Sequence, residues 1–225
     1  YPLYMAYSLY AMKLPGPEDK LPLEQTQALW QETVEQQIFV LCKTRMAESI
    51  TRRTLVGYQD WVVNTTYIPH LLERMEKDPL RLAKKLRRTD TWGKEGQPMK
   101  FDAIVGNPPY QLMGGSGGTN DAPIYQYFAS LAEEVEPHYI SLIIPSRWFS
   151  AGRKNLLGDF RTQMLANRKI RKMYVHPSSQ DIFPTVDIKG GLCYYLIDNG
   201  YDGECEYALA QNGKEKTTTR SLNDL

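Results

Sequence analysis

Apolar residues recur along the chain at helical spacing in some segments and form short continuous runs in others. The helical spacing predicts helices over residues 1–12, 24–35, 44–55, 123–136 and 156–166. The short runs predict buried strands over residues 37–42, 61–66, 101–105, 139–144, 170–175 and 191–197. Because helices and strands alternate, the sequence predicts an α/β fold with a mainly parallel sheet.

Two segments fall outside this alternation. Residues 69–88 have an amphipathic pattern with a basic end, and the polar residues 89–98 follow as a loop, so we predict an insertion over 67–99. Near the end of the chain, Asn212-Gly213 separates two strand-like runs and predicts a hairpin within residues 201–225. The main domain is therefore expected over residues 1–200.

Composition restricts the class of protein. Hydrophobic residues make up 42% of the 225 residues, which excludes general disorder, and 27 Lys and Arg against 26 Asp and Glu favour no partner by net charge. Cys42, Cys193 and Cys205 lie far apart beside only three His, so neither a disulfide framework nor a metal site is expected. Residues 1–14 lack the basic flank of a signal peptide, and we predict a cytoplasmic protein.

The most informative segment is FDAIVGNPPYQ, residues 101–111, in which an apolar strand leads directly into Asn107-Pro108-Pro109-Tyr110. A rigid turn with a surface tyrosine is one interpretation, since proline is common in turns. A site for methylating a weak amine is the other. Such an amine attacks only when its lone pair is localised by hydrogen bonds to fixed acceptors, and the Asn107 side chain and Pro108 carbonyl are suitable acceptors. Tyr110 would provide a stacking face for a planar base.

The sequence resembles the N6-adenine DNA methyltransferases with an Asn-Pro-Pro-Tyr motif, and it resembles the Eco57I-like restriction-modification methylases most closely. The resemblance rests on blocks that occur in the family's order: YPLYMAYSLY, QQIFVLCKTRMAESITRRTLVG, FDAIVGNPPYQ, YISLIIPSRWFSAG, RKIRKMYVHPSSQDIFP and VDIKGGLCYYLID. It implies a Rossmann-like methyltransferase core that uses S-adenosylmethionine and flips an adenine out of double-stranded DNA. It also implies a recognition domain after the hairpin, and an endonuclease or helicase domain as further possible partners.

By the same resemblance, Asn107, Pro108, Pro109 and Tyr110 correspond to the catalytic motif, and Asn107 also to a cofactor contact. The family's second base-stacking aromatic maps to Tyr195, which we prefer to Tyr194. The alternative for this tyrosine pair is packing inside a buried strand.

Two departures from the family pattern concern the cofactor. A Gly-rich loop after the first strand is absent, so we expect that the chain begins just after this loop and binds S-adenosylmethionine weakly. The residues after the second strand are Lys43 and Thr44, where the family commonly has an acidic ribose ligand. We therefore assign Lys43 and Thr44 as cofactor contacts and leave the ribose ligand unassigned.

Basic residues follow the strand at 139–144. We predict that Arg147, Arg153 and Lys154 contact DNA phosphates, because a loop after a parallel strand opens onto the site in this type of sheet. For the basic residues of 161–172 we favour an ordinary solvated helix face, and for 84–88 a helix end that complements its dipole.

Two other functions stay open at this level. Asn-Pro-Pro-Tyr also occurs in amino methyltransferases that act on RNA or on protein glutamine, although the downstream blocks favour DNA. The missing Gly-rich loop favours a DNA-binding or specificity fragment without activity. Binding of S-adenosylmethionine distinguishes these alternatives.

Overall fold

The fold comes from a computed structural model that describes residues 1–16, 21–112, 122–150, 156–185, 187–211 and 213–224. The chain divides into two compact units. Unit 1 consists of Tyr1–Arg74 and Lys85–Met99, and unit 2 consists of Met75–Lys84 and Lys100–Leu225. In the described ranges, no helix has both the length and the apolar character needed to cross a bilayer.

Unit 1 packs helices on a small parallel sheet. Its elements are α1 (Pro2–Lys13), α2 (Leu23–Gln37), β1 (Phe39–Cys42), α3 (Arg45–Val56) and β2 (Asn64–Tyr67). Strands β1 and β2 pair in parallel, as the sequence predicts. The core is formed by Ala6, Val34, Ile38, Leu55, Val56 and Val63. Each element lies within a few residues of its predicted bounds, because apolar periodicity and burial agree here.

The amphipathic segment 69–88 is not one continuous helix. The segment forms two short helices, α4 (Leu71–Lys77) and α5 (Pro79–Leu86), followed by a 3-10 turn over Thr89–Trp92. The break falls at Asp78-Pro79, since proline disfavours helical backbone in the residue before it. The Asp78 carboxylate then accepts a hydrogen bond from the Arg81 N–H at 2.9 Å and caps the second helix.

Unit 2 contains a six-stranded sheet in the order β3-β4-β6-β5-β7-β8. Its strands are β3 (Ala103–Gly106), β4 (Tyr139–Pro145), β5 (Ile170–His176), β6 (Leu192–Asp198), β7 (Cys205–Gln211) and β8 (Lys214–Arg220). Pairing is parallel between β3 and β4 and between β5 and β7, and antiparallel elsewhere. The sheet is therefore mixed, because β6 runs antiparallel to both of its neighbours and the hairpin β7–β8 extends the same sheet.

Helices α6 (Tyr125–Glu134) and α7 (Leu156–Ala166) contribute to the core on one face of this sheet. The core includes Ile140, Leu142 and Ile144 of β4, together with Cys193, Tyr195 and Ile197 of β6. The predicted α/β class is confirmed.

The strand directions define two edges of the sheet. Because β3, β4 and β5 point the same way, their C-terminal ends meet at one edge, here called the carboxyl edge. The segments there are 107–112, 146–150, 177–185 and 187–191. At the opposite or amino edge lie 100–102, 137–138, 167–169 and 199–204.

Candidate active site at the carboxyl edge

The Asn-Pro-Pro-Tyr segment starts at the carboxyl end of β3, one residue after Gly106. Asn107 is exposed, whereas Pro108 is buried and Tyr110 is half-buried. The apolar strand thus ends with a polar side chain that is open to a ligand, held next to a proline that anchors the turn. Proline fixes its own φ, so the direction of this backbone is restricted.

The far end of this segment is held by main-chain hydrogen bonds. The Ile124 N–H donates to the Tyr110 carbonyl at 3.1 Å, and the Leu112 N–H donates to the Ala122 carbonyl at 3.1 Å. Gln111 and Pro123 form an antiparallel bridge between them. The backbone of Tyr110 is therefore attached directly to the start of α6.

The turn after β4, Ser146–Ser150, is fixed by its tryptophan. Trp148 is fully buried, stacks on Phe149 at 3.9 Å between ring centroids, and donates its indole N–H to the Cys193 sulfur at 3.4 Å. Burial raises the pKa of the Cys193 thiol to about 12, so this cysteine is an uncharged packing residue. The buried tryptophan leaves the adjacent Arg147 exposed at the edge.

Two glycines allow the chain to approach β6 closely. Gly190 and Gly191 both have positive φ, 88° and 74°. A Cβ on Gly190 would lie 3.1 Å from the Arg147 Cγ, and one on Gly191 would lie 2.1 Å from the His176 carbonyl oxygen. Side chains are therefore excluded at Gly191, and the turns after β4 and β5 are held close to the start of β6.

A buried hydroxyl lies near the same edge. Tyr125, the first residue of α6, is 1% exposed, and its hydroxyl has no hydrogen-bond partner among the described residues. Burial raises the pKa of this phenol well above its usual range, with Cys193 acting in the same direction and Arg147 against it. The residue before Tyr125, Ile124, donates its N–H to the Tyr110 carbonyl, so the start of α6 lies at this edge.

The structure contradicts the stacking role predicted for Tyr195. This side chain is 2% exposed and lies in the core between Leu142 and Met173, its partners on the neighbouring strands. Burial also raises the pKa of its phenol well above the usual value. A ring enclosed in the core offers no face to a base, so the alternative of strand packing is correct.

Tyr194 projects to the other face of the sheet, because successive strand residues alternate. Its ring is stacked on Tyr174 at 4.9 Å and 10°, and on His176 at 5.8 Å and 25°. Tyr194 therefore forms part of an aromatic stack across β5 and β6 and is also unsuited to hold a base.

The sequence interpretation missed Phe183, a half-buried aromatic in the turn after β5. Its N–H donates to the Ser179 carbonyl at 2.8 Å, at the end of a 3-10 turn over Ser179–Asp181. Tyr110 and Phe183 thus both follow parallel strands at the carboxyl edge. The feature that indicates Phe183 is its position just after a strand that points the same way as β3. That position can be seen only when the topology of the sheet is known.

The two predicted cofactor residues of unit 1 follow β1. Lys43 is exposed, and the Thr44 hydroxyl oxygen accepts a hydrogen bond from the Ala47 N–H at 3.0 Å. Thr44 is thus the N-cap of α3, a structural role that leaves its hydroxyl proton available.

The basic residues of 161–172 are engaged within unit 2. Arg161 donates to the Phe149 carbonyl and Lys169 to the Asn199 side chain, while the others form ion pairs: Arg168 with Asp202, Arg171 with Asp198 and Lys172 with Glu206. These contacts support a structural role for the segment. Arg153 and Lys154, predicted to bind DNA, and the GGSGG of 114–118 lie outside the described residues.

Comparison with solved structures identifies the fold. The chain matches one from a structure of the type I restriction-modification system, solved to explain complex assembly and conformational transition, with a TM-score of 0.57, 13% identity and coverage of 93% of this chain and 38% of that one. It also matches a nuclease-deletion mutant of the Type ISP restriction-modification enzyme LlaGI in complex with a DNA substrate mimic, with a TM-score of 0.55, 10% identity and coverage of 99% and 21%. The shared architecture is a Rossmann-like methyltransferase fold.

Sequence comparison gives the family. An uncharacterized adenine-specific methylase of Mycoplasma pneumoniae is 38% identical over 122 residues, which cover 53% of this chain and 29% of that relative. The chain therefore spans less than a third of the length of this relative. The profile of the Eco57I restriction-modification methylases matches residues 36–183, more than half of the chain and including the Asn-Pro-Pro-Tyr turn. The chain belongs to the Eco57I restriction-modification methylase family.

Proposed function

We propose that this chain methylates adenine N6 in double-stranded DNA with S-adenosylmethionine, as part of a restriction-modification enzyme, by base flipping and direct methyl transfer. One observation carries the proposal: Asn107 is exposed at the carboxyl end of β3, next to a buried Pro108. In open α/β sheets this edge is where ligands bind.

Asn107 and Pro108 act on the amine that is to be methylated. The exocyclic nitrogen of adenine is a weak nucleophile, because its lone pair is delocalised into the ring. Hydrogen bonds from its two protons to the Asn107 side-chain oxygen and the Pro108 carbonyl localise that pair on nitrogen. The two prolines restrict the backbone that carries the Pro108 carbonyl before the base arrives, so little reorganisation of this acceptor is needed at the moment of reaction. The proton leaves after the nitrogen becomes cationic, and no strong base is required.

Two aromatic residues hold the flipped base. Tyr110 is half-buried and its backbone is attached to α6, so its ring provides a fixed stacking face. Phe183 replaces Tyr195 as our proposed second aromatic, because it follows β5 at the same edge and is only half-buried. Stacking on aromatic side chains returns about 1–3 kcal/mol per base and compensates in part for unstacking from the duplex.

The described residues fit S-adenosylmethionine by their chemistry. The exposed Lys43 ammonium can pair with a carboxylate, the Thr44 hydroxyl retains a proton for a ligand oxygen, and Asn107 offers both a donor and an acceptor. When bound, the cofactor supplies an electrophilic methyl group. The task of Asn107 is then to align the adenine nitrogen with that group, an effect of proximity.

Arg147, Arg153 and Lys154 are our proposed phosphate contacts. Arg147, the one of the three that lies within the described residues, is exposed on the turn that Trp148 anchors. A guanidinium held on a fixed turn can bind phosphate oxygens in a defined orientation, which positions the duplex without reading its sequence.

The test is product identity in the natural full-length polypeptide. Radiolabelled S-adenosylmethionine is supplied with a DNA duplex, with the matching RNA, or with a glutamine-containing protein substrate. We expect label only in the DNA, recovered after digestion as N6-methyladenine. Label in RNA or in glutamine would support the corresponding amino methyltransferase instead, and DNA binding without any label would support a specificity fragment.

A further inference from the structure

The exposed side of α5 carries only positive charges. Arg81, Lys84 and Lys85 are exposed, and their spacing places them on one stripe of the helix. The opposite side is apolar and buried, with Leu82 and Leu86 at 3% and 6% exposure. The preceding helix α4 differs, because acidic and basic residues alternate along its exposed side.

None of these three cations forms an ion pair with a carboxylate of the described residues, whereas Arg88 just beyond the helix pairs with Asp90. The hydrogen bond from Arg88 lowers the pKa of Asp90 most, and Lys85 adds only a minor effect of the same sign. Like charges three and four positions apart repel one another on a helix. The stripe therefore opposes helix formation unless a negatively charged partner is present.

Dipole compensation, the role that the sequence suggests for the basic end, does not account for the stripe. Arg81 lies in the first turn, where a positive charge is unfavourable. At the other end, neutral groups already satisfy the last carbonyls: the Thr91 hydroxyl donates to the Lys85 carbonyl at 2.6 Å, and the Trp92 indole donates to the Leu86 carbonyl at 2.8 Å. Helix stability therefore does not require the three positive charges.

We propose that Arg81, Lys84 and Lys85 bind the phosphate backbone of duplex DNA, as a contact surface on α5 in addition to the basic residues of the carboxyl edge. The inference rests on the proposed function, which makes DNA the polyanion that this protein meets. Duplex DNA carries one charge per about 1.7 Å of its axis, so a row of long cationic side chains on one helix turn finds phosphates in any sequence. The contact supplies affinity without specificity.

Arg81 and Lys84 belong to unit 2, the unit that holds the candidate site, whereas Lys85 belongs to unit 1. The residue after Met75 in α4, Glu76, accepts a hydrogen bond from the Tyr127 hydroxyl of α6 at 3.3 Å. The same helix α6 is preceded by Ile124, which donates to the Tyr110 carbonyl. Phosphates bound by Arg81 and Lys84 are therefore held by the unit that carries Asn107.

The experiment measures DNA affinity against salt, in the natural full-length polypeptide, by fluorescence anisotropy with a labelled mixed-sequence duplex. The variant Arg81→Gln/Lys84→Gln removes two charges while keeping good helix formers. We expect the slope of log K against log salt to become shallower by about 0.9 for each phosphate that is no longer neutralised. The matched control Lys100→Gln/Lys169→Gln removes two charges at the amino edge and should leave the slope unchanged.

Each outcome is decisive. An unchanged slope in the stripe variant, or an equal change in the control, overturns the inference while leaving the proposed function intact. Absence of salt-dependent binding by the wild type defeats the proposed function itself. If the stripe variant loses affinity for polyglutamate while its DNA affinity and salt slope stay at the wild-type values, the surface is one for acidic proteins and the inference is wrong. The variant Arg81→Lys/Lys84→Arg keeps both charges and should restore the wild-type slope, which separates loss of charge from loss of folding.

Discussion

The two edges of the six-stranded sheet differ in whether their polar side chains are paired with one another. At the amino edge several charges are paired. Asp198, with a side chain 10% exposed, accepts a hydrogen bond from Arg171 at 3.2 Å, lies 3.6 Å from His138 and accepts a hydrogen bond from the Gly200 N–H at 3.0 Å. Arg168 and Asp202 form a further pair beside it.

At the carboxyl edge, polar groups are left open. Asn107 and Arg147 are exposed, and the Tyr125 hydroxyl is buried with no hydrogen-bond partner in the described part of the chain. The amino edge contains more charge, and a large part of that charge is paired within the edge. The comparison teaches that the pairing state of charged residues, and not their number, separates a binding surface from a structural one.

The largest effect concerns the core between the edges. We expect Tyr195→Ala to lower the free energy of unfolding by about 3–5 kcal/mol, because it removes a fully enclosed aromatic ring. Phe183→Ala should change the free energy of unfolding by less than about 1 kcal/mol and should instead weaken base flipping. Denaturant unfolding and 2-aminopurine fluorescence at the target base measure the two effects. Normal flipping in the Phe183 variant would remove this residue from the site.

The second prediction tests the carboxyl edge directly. Asn107→Ala should reduce the single-turnover rate of adenine methylation by about a hundredfold or more, as for other preorganised hydrogen-bond groups. Its melting temperature should not change, because the side chain is exposed. Calorimetric titration with S-adenosylmethionine serves as the control, and the loss of cofactor affinity in the variant should be much smaller than the loss of rate. A variant that keeps a tenth of the wild-type rate contradicts the assignment.

The third prediction tests the amino edge. Asp198→Asn should lower the free energy of unfolding by about 1–2 kcal/mol, since a mostly buried carboxylate loses its charge while Arg171 is partly screened by solvent. The exposed pair gives a matched control: Asp202→Asn should cost under about 1 kcal/mol. Methylation per folded molecule should be unchanged in both, and a specific loss of rate in either variant would mean that this edge takes part in the reaction.

The smallest effect compares one arginine from each edge. Arg147→Gln should make the salt dependence of DNA binding shallower by about 0.9, the value for one phosphate contact. Arg168→Gln should not change it, because Arg168 is already paired with Asp202. If the two variants have the same slope of log K against log salt, Arg147 does not contact a phosphate.

Local patterns predicted the elements well. The apolar run before Asn107 and the polar turn after it are adjacent in sequence, so the position of the Asn-Pro-Pro-Tyr segment at the end of a strand needed no tertiary information. The break at Asp78-Pro79 also has a local cause, the restriction that proline places on the residue before it, but the amphipathic pattern of 69–88 did not reveal it.

Tyr194 and Tyr195 show where sequence reasoning stops. Both lie in one apolar run, and alternation assigns them to opposite faces without saying which face is covered. Only the packing of α6 and α7 decides that Tyr195 is enclosed. The order β4-β6-β5 is likewise invisible in the chain, and Phe183 emerges as a candidate only once β5 is known to run parallel to β3.

The hydrogen bond between Leu112 and Ala122 has a consequence for evolution and engineering. The Leu112 N–H donates to the Ala122 carbonyl, and the neighbouring Gln111 and Pro123 form an antiparallel bridge. The backbone at Leu112 therefore lies close to the backbone at Ala122. These main-chain bonds fix the backbone on both sides of residues 113–121, and the entropy of closing a chain between two fixed points grows only slowly with its length. We therefore expect a change in the number of residues between Leu112 and Ala122 to leave the Asn-Pro-Pro-Tyr segment and α6 in place.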